Sequence, residues 1–346
     1  MTKIRLLIVD DSAVVRSLLT RELSKDPAIE VVGSAPDPYI AREKIVHLSP
    51  DVITLDVEMP RMDGITFLEH LMAHHPMPVI ILSSLTPAGC QTALRALELG
   101  AIEVMQKPEL DVSYKLQEMI VQLVDKIKAA YVARYQFADP KLQREKPRST
   151  PMTAMIRTTD KIIAIGASTG GTEALREIIP ILPAGFPGVV ITQHMPERFT
   201  ESFANSLNQQ SQMEVREAAD NDTIHPGLVL IARGNYHMVV RRSGARYYVQ
   251  LKQGPLVCHQ RPSVDVLFES VAKYVGANAV GVILTGMGND GAQGMRAMRE
   301  AGAYTISQSE ESCVVYGMPK EAVKADAVEK VAHLDDIPAE LVRLVT

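Results

Sequence analysis

The chain has 346 residues, of which 46% are hydrophobic and 22% charged, and its formal net charge at pH 7 is −5. This length is enough for two domains that each bury a core. The negative charge and the lack of tryptophan argue against a dedicated nucleic-acid binder, and no apolar run is long enough to cross a bilayer. The three cysteines, Cys90, Cys258 and Cys313, have neither metal-binding nor disulfide spacing, so we expect reduced thiols in a cytoplasmic protein.

The first part of the chain alternates short apolar runs, which predict strands, with segments that predict helices. Strands are expected at residues 4–9, 30–35, 52–55, 79–82 and 102–105, and helices at residues 13–24, 38–48, 64–72, 89–99 and 114–132. Five such units predict a doubly wound parallel sheet with right-handed crossovers. The carboxyl ends of its strands would meet at one edge.

Charged and polar residues stand where these strands end. Asp10 and Asp11 follow the first strand, Asp56 the third, Ser83 the fourth and Lys107 the fifth. A single acid after a strand is usually a helix cap or a solvated loop residue, but five such residues in strand order predict one convergent site. Crowded carboxylates repel one another unless a hard cation neutralises them, and Mg²⁺ suits oxygen ligands. Mg²⁺ and a lysine ammonium would also stabilise a phosphoryl group during its transfer to Asp56.

These residues, with the segments at 55–60 (Leu-Asp-Val-Glu-Met-Pro) and 62–64 (Met-Asp-Gly), resemble the receiver domain of two-component response regulators. The resemblance implies a flavodoxin-like five-stranded domain, which we place at residues 1–132. It also implies that Asp56 accepts phosphate from a histidine kinase. Mg²⁺ would be held by Asp10, Asp11, Asp56 and the backbone carbonyl of Glu58.

The same resemblance assigns roles to two residues at the ends of later strands. Ser83 would hydrogen-bond the new phosphate, and Lys107 would pair with it. The position at which the family usually carries an aromatic switch residue is Val104 here. A rotating aromatic side chain is therefore not expected to report phosphorylation in this chain.

A change of composition separates the two halves of the chain. Prolines, charges and small polar residues without periodicity fill residues 133–160. This composition predicts a solvated linker. We therefore expect a second domain at residues 161–346.

The second half opens with a strand, a tight turn and a helix. The strand is predicted at residues 162–165, the Gly-Ala-Ser-Thr-Gly-Gly turn at 166–171, and the helix at 172–179. Ser168 occupies the position at which a dinucleotide fingerprint needs its second glycine, and no Gly-Lys-Ser/Thr follows as in a P-loop. Ser168 is then either an exposed nucleophile beside helix N–H groups or merely a cap of the helix.

The remaining segments predict a second doubly wound α/β domain with an antiparallel ribbon. Strands are expected at residues 188–192, 213–217, 280–284 and 304–307, and helices at residues 197–209, 262–274 and 292–300. Three short segments separated by glycine-containing turns, at residues 228–232, 238–242 and 247–251, are expected to form the ribbon.

Three apolar strands of this half lead to Ser168, His194 and Asp290. These are the residue types of a nucleophile, a general base and an orienting carboxylate, and parallel strand ends can bring them together. His194 ranks first as the base because it follows a parallel strand, and His259 is a distant second. The alternative for Asp290 is a helix N-cap, which is compatible with orienting a histidine.

The motifs around these residues resemble the catalytic domain of chemotaxis protein-glutamate methylesterases. They lie at residues 166–171, 193–196, 261–268 and 284–291. The resemblance implies a Ser168–His194–Asp290 triad and an oxyanion hole formed by the N–H groups of Met287 and Thr169. It places Arg261 at the substrate groove.

The resemblance implies hydrolysis of glutamyl γ-methyl esters on methyl-accepting chemotaxis receptors, with deamidation of receptor glutamines as a second activity. It implies phosphorylation by the chemotaxis histidine kinase, Mg²⁺ for that step, and no cofactor for ester hydrolysis. Neither nucleic-acid binding nor membrane insertion is expected. One hypothesis is that the unphosphorylated receiver covers the catalytic edge; tethering and allosteric activation are the alternatives. The rival functions are an output domain that only binds a ligand or partner, and a DNA-binding output.

Overall fold

The structure is a computed structural model that describes residues 3–59, 63–108, 113–134 and 161–346. The chain separates into two compact units at residue 145, so residues 3–134 belong to one unit and residues 161–346 to the other. The predicted linker lies outside the described residues except for residues 133 and 134. None of the helices within the described ranges is long and apolar enough to span a membrane.

The first unit contains the five predicted βα units in the predicted order. Its elements are β1 (Ile4–Val9), α1 (Ala13–Leu23), β2 (Ile29–Ala35), α2 (Pro38–Leu48), β3 (Val52–Asp56), α3 (Gly64–His74), β4 (Val79–Ser83), α4 (Pro87–Glu98), β5 (Glu103–Gln106) and α5 (Ser113–Ala133). The strands form one parallel sheet in the order β2-β1-β3-β4-β5. The predicted parallel sheet is confirmed, with β1 and β3 side by side at its centre.

Polar caps determine where the helices of this unit begin. The side chains of Ser12, Asp37, Asp63 and Thr86 each accept a backbone N–H from the first turn of the next helix. Such caps satisfy N–H groups that have no partner inside the helix. Because Thr86 is the cap of α4, this helix begins at Pro87, two residues before its predicted start.

The second unit is built around a larger sheet. Its elements are β6 (Ile162–Ala167), α6 (Gly171–Ile178), β7 (Gly188–Gln193), α7 (Phe199–Asn208), β8 (Glu214–Glu217), β9 (Leu228–Ile231), β10 (His237–Ser243), β11 (Arg246–Lys252), α8 (Val264–Tyr274), β12 (Ala279–Ile283), α9 (Ala292–Glu300), β13 (Tyr304–Gln308), α10 (Met318–Lys324), β14 (Lys330–Ala332) and α11 (Ile337–Val345). Seven parallel strands lie in the order β14-β13-β12-β6-β7-β9-β8, and β10 and β11 form a separate antiparallel ribbon.

One predicted element has a different partner from the one expected. Residues 228–232 were expected in the ribbon, but β9 pairs in parallel with β7 and β8 in the large sheet. All four residues of β9 are buried, as is typical of a parallel strand covered on both faces. A short apolar run bounded by glycine fits either environment, so the local pattern could not choose between them.

The strand order reverses at β6, which places the following turn at a switch point of the sheet. The chain continues from β6 to β7 on one side, whereas β12 to β14 lie on the other. Crevices at the carboxyl ends of strands beside such a point are the usual ligand sites of open α/β sheets. Helix α8 packs closely on β6: a Cβ atom at Gly166 would lie 2.2 Å from Val264 Cγ1.

Candidate active site

Ser168 lies in the turn that follows β6, and it does not cap the next helix. The cap position of α6 is Gly170, whose φ is +78°, and no side chain bonds the first N–H groups of the helix there. Ser168 donates its N–H to Thr285 O at 3.0 Å and accepts the Gly171 N–H at 2.7 Å. A Cβ at Gly170 would lie 2.5 Å from Val314 Cβ. Glycine is therefore required in this turn, and the hydroxyl of Ser168 has no capping role.

His194 lies beside Ser168 because β6 and β7 are register partners. Ala167 is paired with Gln193, and the His194 N–H donates to Ala167 O at 3.1 Å. Ser168 and His194 are thus the next residues on two adjacent strands. Gln193 Nε2 also donates to Ser168 O at 2.9 Å. His194 is buried, so its ring has little freedom to leave this position.

Asp290 follows β12 and reaches His194 from the other side of β6. Its Oδ2 atom lies 2.7 Å from His194 Nε2. Burial raises the pKa of Asp290, but the His194 ring and the N–H groups of Asp265 and Val264 outweigh it, so the pKa lies below its ordinary value. The carboxylate is therefore ionised at neutral pH, as an orienting group must be.

Asp290 contacts the start of a helix other than its own. Its own helix, α9, has Gly291 at the cap position and no side-chain cap. Asp290 instead accepts the N–H groups of Val264 at 2.7 Å and Asp265 at 3.0 Å, which belong to the first turn of α8. The alternative that Asp290 caps the helix that follows it is therefore wrong. Asp290 accepts N–H groups from a helix distant in sequence, whose N-cap residue is Ser263.

One nitrogen of the His194 ring has no hydrogen bond to the described residues. Nε2 is bonded to Asp290, and Nδ1 is buried without a hydrogen-bond partner among the described residues. Within that part of the chain no hydrogen bond joins Ser168 Oγ to the ring either. Catalytic hydrogen bonds are often long in enzymes without substrate and tighten when substrate binds. Nδ1 is therefore the ring nitrogen that is free to accept a proton.

The two predicted oxyanion donors lie on the loops around Ser168. A Cβ at Gly286 would be 2.7 Å from Ser168 Cβ, so the backbone leading into Met287 passes next to the serine. The Met287 N–H has no hydrogen-bond partner in the described ranges, and the residue is 37% exposed. Thr169 is buried, and its carbonyl accepts Thr285 Oγ1 at 2.9 Å. The oxyanion assignment stays a prediction.

Arg261 joins two loops through its guanidinium. Nε and Nη2 donate to Asn235 Oδ1 at 3.0 and 2.6 Å, and Nη1 donates to Gly254 O. These bonds show a structural use of the side chain, and its predicted place at the substrate groove stays a prediction. The imidazole that contacts Asp290 is that of His194, which the sequence ranked above His259.

Ser263 lies in the predicted motif at residues 261–268, but no role was predicted for this residue from the sequence. Ser263 is fully buried, and its Oγ donates to Asp290 Oδ1 at 2.8 Å. The available signal was a serine directly before an apolar helix, which predicts an N-cap. That signal identifies the cap but not the carboxylate that shares its hydroxyl.

A cavity of about 540 Å³ in the second unit lies away from these residues. It opens beside the end of β8, and its lining includes Glu201, Arg216, Glu217 and Arg233. None of Ser168, His194 and Asp290 lines it. The arrangement of hydrogen bonds, and not cavity volume, marks the candidate site.

The acidic residues of the first unit converge as expected. Ligand atoms of Asp10, Asp11 and Asp56 all lie within 4.8 Å of one another. Lys107 Nζ lies 2.6 Å from Asp56 Oδ2 and 3.9 Å from Asp10 Oδ2. Burial raises the pKa of Asp10 to about 6, although Lys107 opposes this, and burial also raises the pKa of Asp56. Burial lowers the pKa of Lys107, but its bond to Asp56 raises it further, so the lysine is charged.

This group of carboxylates fits a hard divalent cation. Asp10 Oδ2 is buried without a hydrogen-bond partner in the described part of the chain, so the fold leaves one anionic oxygen unsatisfied. Asp56 Oδ1 accepts the Glu58 N–H at 2.8 Å, whereas the Glu58 carboxylate accepts Ser84 Oγ at 2.6 Å. Ser83 Oγ donates to Gly89 O at 3.0 Å. Oxygen ligands of this kind suit Mg²⁺.

Comparison with known families gives the same division of the chain. The family model described as CheB methylesterase matches residues 163–341, and that described as response regulator receiver domain matches residues 6–120. The crystal structure of the Thermotoga maritima CheB methylesterase catalytic domain is similar at 37% identity with a TM-score of 0.53. The match covers 55% of this chain and 100% of that one.

Full-length relatives share both parts. Protein-glutamate methylesterase/protein-glutamine glutaminase 2 of Syntrophus aciditrophicus (strain SB) is 58% identical over 345 residues, which cover 100% of both chains. The protein-glutamate methylesterase/protein-glutamine glutaminase of Bdellovibrio bacteriovorus is 54% identical over 346 residues. The match covers 99% of this chain and 97% of that protein. The chain therefore belongs to the CheB methylesterase family and carries an amino-terminal response regulator receiver domain.

Proposed function

We propose that this protein is a phosphorylation-regulated protein-glutamate methylesterase that also acts as a protein-glutamine glutaminase. Its substrates would be glutamyl γ-methyl esters and glutamine amides of chemoreceptors, in the cytoplasm, during chemotactic adaptation. Family membership and the names of relatives that match over the full chain support the activity. The observation that carries the mechanism is the His194 ring, which is bonded to Asp290 through Nε2 and has Nδ1 buried and unbonded, on the residue that neighbours Ser168 across the strand ends.

Each residue of this triad has one task in the first half of the reaction. His194 Nδ1 takes the proton from Ser168 Oγ as the oxygen attacks the ester carbonyl, and Asp290 stabilises the imidazolium that results. The negative charge on the former carbonyl oxygen would be stabilised by the N–H groups of Met287 and Thr169. Loss of one such donor typically costs on the order of 100- to 1000-fold in rate.

The second half of the reaction reverses the proton transfers. His194 returns the proton to the leaving oxygen as the bond between it and the former carbonyl carbon breaks, so methanol departs from the tetrahedral intermediate and leaves an acyl-enzyme on Ser168. A water then gives its proton to Nδ1 and attacks the acyl carbon, which releases a glutamate carboxylate and restores the serine. With a glutamine side chain, the same steps release ammonia.

The test of this function is methanol release from methylated receptor by wild type and by Ser168→Ala. The variant is expected to lose essentially all turnover while keeping its thermal unfolding transition, since the serine hydroxyl has no capping role. Ser206→Ala, which changes a half-buried serine on α7, is the matched control and should keep wild-type turnover. Normal turnover by a folded Ser168→Ala protein would falsify the serine mechanism. A wild-type protein that releases no methanol would instead favour an output domain that only binds a ligand or partner.

We further propose that a histidine kinase of the chemotaxis system phosphorylates Asp56. Asp10, Asp11, Asp56 and the Glu58 carbonyl would hold Mg²⁺, which when bound would neutralise charge on the transferred phosphoryl group. Lys107 holds the Asp56 carboxylate in the unphosphorylated state. Ser83, now bonded to Gly89 O, would exchange that partner for a phosphate oxygen.

Regulation is tested by adding a small phosphodonor with Mg²⁺ to the full-length protein. Methanol release is expected to rise for wild type and to stay at its basal rate for Asp56→Asn. Asp63→Asn, which changes an acid that caps α3 outside the cluster, should still respond. An equal response in Asp56→Asn would exclude Asp56 as the acceptor without affecting the proposed esterase chemistry.

A further inference from the structure

Ser263 connects three parts of the second unit through hydrogen bonds. Its Oγ donates to Asp290 Oδ1 at 2.8 Å and accepts the Val266 N–H at 3.4 Å as the cap of α8. Its N–H donates to His237 Nδ1 at 3.2 Å, and His237 Nε2 lies 2.9 Å from Pro255 O. A carbonyl oxygen can only accept, so His237 carries its proton on Nε2. Ribbon, helix and carboxylate are thus joined through one buried serine.

The Asp290 carboxylate receives two hydrogen bonds on each oxygen. Oδ2 accepts from His194 Nε2 and the Val264 N–H, and Oδ1 accepts from Ser263 Oγ and the Asp265 N–H. Four bonds fill the usual acceptor capacity of a carboxylate. The carboxylate cannot turn about its Cβ–Cγ bond without breaking several of them. Its plane, and with it the line to Nε2, is set by these donors.

Of the four donors to Asp290, Ser263 is the one outside the triad that donates through its side chain. Its bond can therefore be removed by substitution without changing the triad. The N–H groups of Val264 and Asp265 belong to the backbone of the first turn of α8, where N–H groups lack partners inside the helix. The bond from Oγ to the carboxylate, at 2.8 Å, is much shorter than its capping bond, at 3.4 Å. In a serine that served only as a helix cap, we would expect the capping bond to be the shorter of the two.

We propose that Ser263 is a positioning residue for ester hydrolysis: it holds Asp290 in the orientation that keeps the His194 proton on Nε2 and leaves Nδ1 free to take the Ser168 proton. The inference rests on the proposed function, because orientation of the ring affects turnover only if His194 is the base. Without the hydroxyl, Oδ1 loses one of its two donors and the carboxylate gains freedom to tilt. Orientation errors of this kind lower the rate of the chemical step and leave ground-state binding intact.

The experiment measures methanol release by full-length Ser263→Ala as a function of substrate concentration and pH. We expect kcat to fall roughly 10- to 100-fold, the size typical of a small misplacement at a reacting group, with KM within twofold of wild type. The acid limb of the kcat/KM profile should move to higher pH. A carboxylate that has lost a donor carries more uncompensated charge, and this charge stabilises the imidazolium of His194.

Ser270→Ala is the matched control, since it removes another buried serine hydroxyl from the same helix. Ser270 Oγ donates to Leu267 O at 2.7 Å and accepts the Val240 N–H at 2.8 Å, with no bond to Asp290. It should lose stability while its kcat and acid limb stay at wild-type values. Ser263→Cys keeps a weak donor of similar size and is expected to show both kinetic changes in smaller degree.

The outcomes separate this inference from the proposed function. A Ser263→Ala protein that loses only stability, with kcat and the acid limb matching those of Ser270→Ala, overturns the positioning role. If that result appears while Ser168→Ala is inactive, the esterase mechanism stands and only the inference fails. Full activity in Ser168→Ala contradicts both. If Ser263→Ala does not fold, Ser263→Cys decides by the same comparison.

Discussion

His194 and Asp290 are joined across the end of β6 by the histidine nitrogen farther from the backbone: Nε2 lies 2.7 Å from Asp290 Oδ2. The two residues follow β7 and β12, which flank β6 on opposite sides, so they are about 10 Å apart in strand spacing. Nε2, the ring nitrogen farther from the His194 backbone, reaches across β6 to Asp290. The near nitrogen, Nδ1, stays beside the backbone that is bonded to Ala167, next to Ser168. Strand order therefore determines which nitrogen reaches Asp290, and it leaves Nδ1 as the proposed base.

The first prediction concerns the tautomer of His194. In Asp290→Asn, the amide NH₂ cannot accept the bonds that a carboxylate oxygen accepts, and it favours the ring form with its proton on Nδ1. That proton blocks transfer from Ser168. We expect methanol release to fall on the order of 10³- to 10⁴-fold, the cost of a wrong tautomer in a triad of this type.

The control for this prediction is Asp335→Asn, which changes an exposed acid near the carboxyl end of the chain and should leave the rate unchanged. Circular dichroism establishes that both variants are folded. Turnover by Asp290→Asn within tenfold of wild type would show that the carboxylate does not set the tautomer.

The second prediction concerns the contact between Gly286 and the nucleophile. A Cβ at Gly286 would lie 2.7 Å from Ser168 Cβ and 2.4 Å from the flexible end of Met318. The methionine can move away, but the serine is held by its backbone bonds to Thr285 and Gly171. Gly286→Ala should therefore displace Ser168 and lower kcat about 100-fold, as misplacement of a reacting group does.

Gly185→Ala provides the comparison for this change. A Cβ at Gly185 meets no atom within 4 Å, so turnover and stability should stay near wild type. Methanol release and thermal unfolding are measured for both variants. Equal kcat values would mean that the turn adjusts to the added methyl group and that the contact does not position the serine.

The third prediction concerns the pH dependence of stability. Burial raises the pKa of Asp265 to about 6, and the nearby Asp290 charge adds to this, although the Gly294 N–H opposes it. In the unfolded chain the pKa of this carboxyl lies near the ordinary value of 3.8. Between these values the folded state binds more protons, so this group makes the protein less stable as pH rises from about 4 to about 6.

Asp265→Asn removes that titration and keeps an oxygen for the Gly294 N–H. We expect the variant to be more stable than wild type at pH 7.5, by at most about 3 kcal/mol, with a smaller difference at pH 4.5. Calorimetry at the two pH values measures it, and Glu311→Gln, which changes an exposed acid that does not contribute to the pKa of Asp265, should show no such change. A larger gain at the lower pH would contradict the sign of the effect.

Local sequence was sufficient for the elements and for the residues at their ends. Apolar runs that stop at Asp10, Asp56, Ser168 and His194 predicted strands because buried parallel strands need continuous apolar residues. The boundaries were within a few residues, and deviations had local causes such as the Thr86 cap. The predicted roles of these residues came from the resemblance to a family, and the family model and the full-length relatives confirm membership in that family.

Other features depend on contacts between residues distant in sequence. Nothing in the run at residues 228–232 distinguishes a ribbon strand from β9. No elements were predicted after residue 307, where the structure has α10, β14 and α11. The helix whose first N–H groups Asp290 accepts begins 26 residues before it in the chain. Local periodicity carries no information about such pairings.

The sequence by itself determined that a hydroxyl, an imidazole and a carboxylate follow three buried strands. Only the tertiary structure decided that β6 lies between β7 and β12, that Nε2 and not Nδ1 meets Asp290, and that Ser263 and the first turn of α8 hold the carboxylate. The physical reason is that a strand is specified by its own apolar residues. Its neighbours, and the hydrogen bonds made across its end, are selected by the packing of the whole sheet.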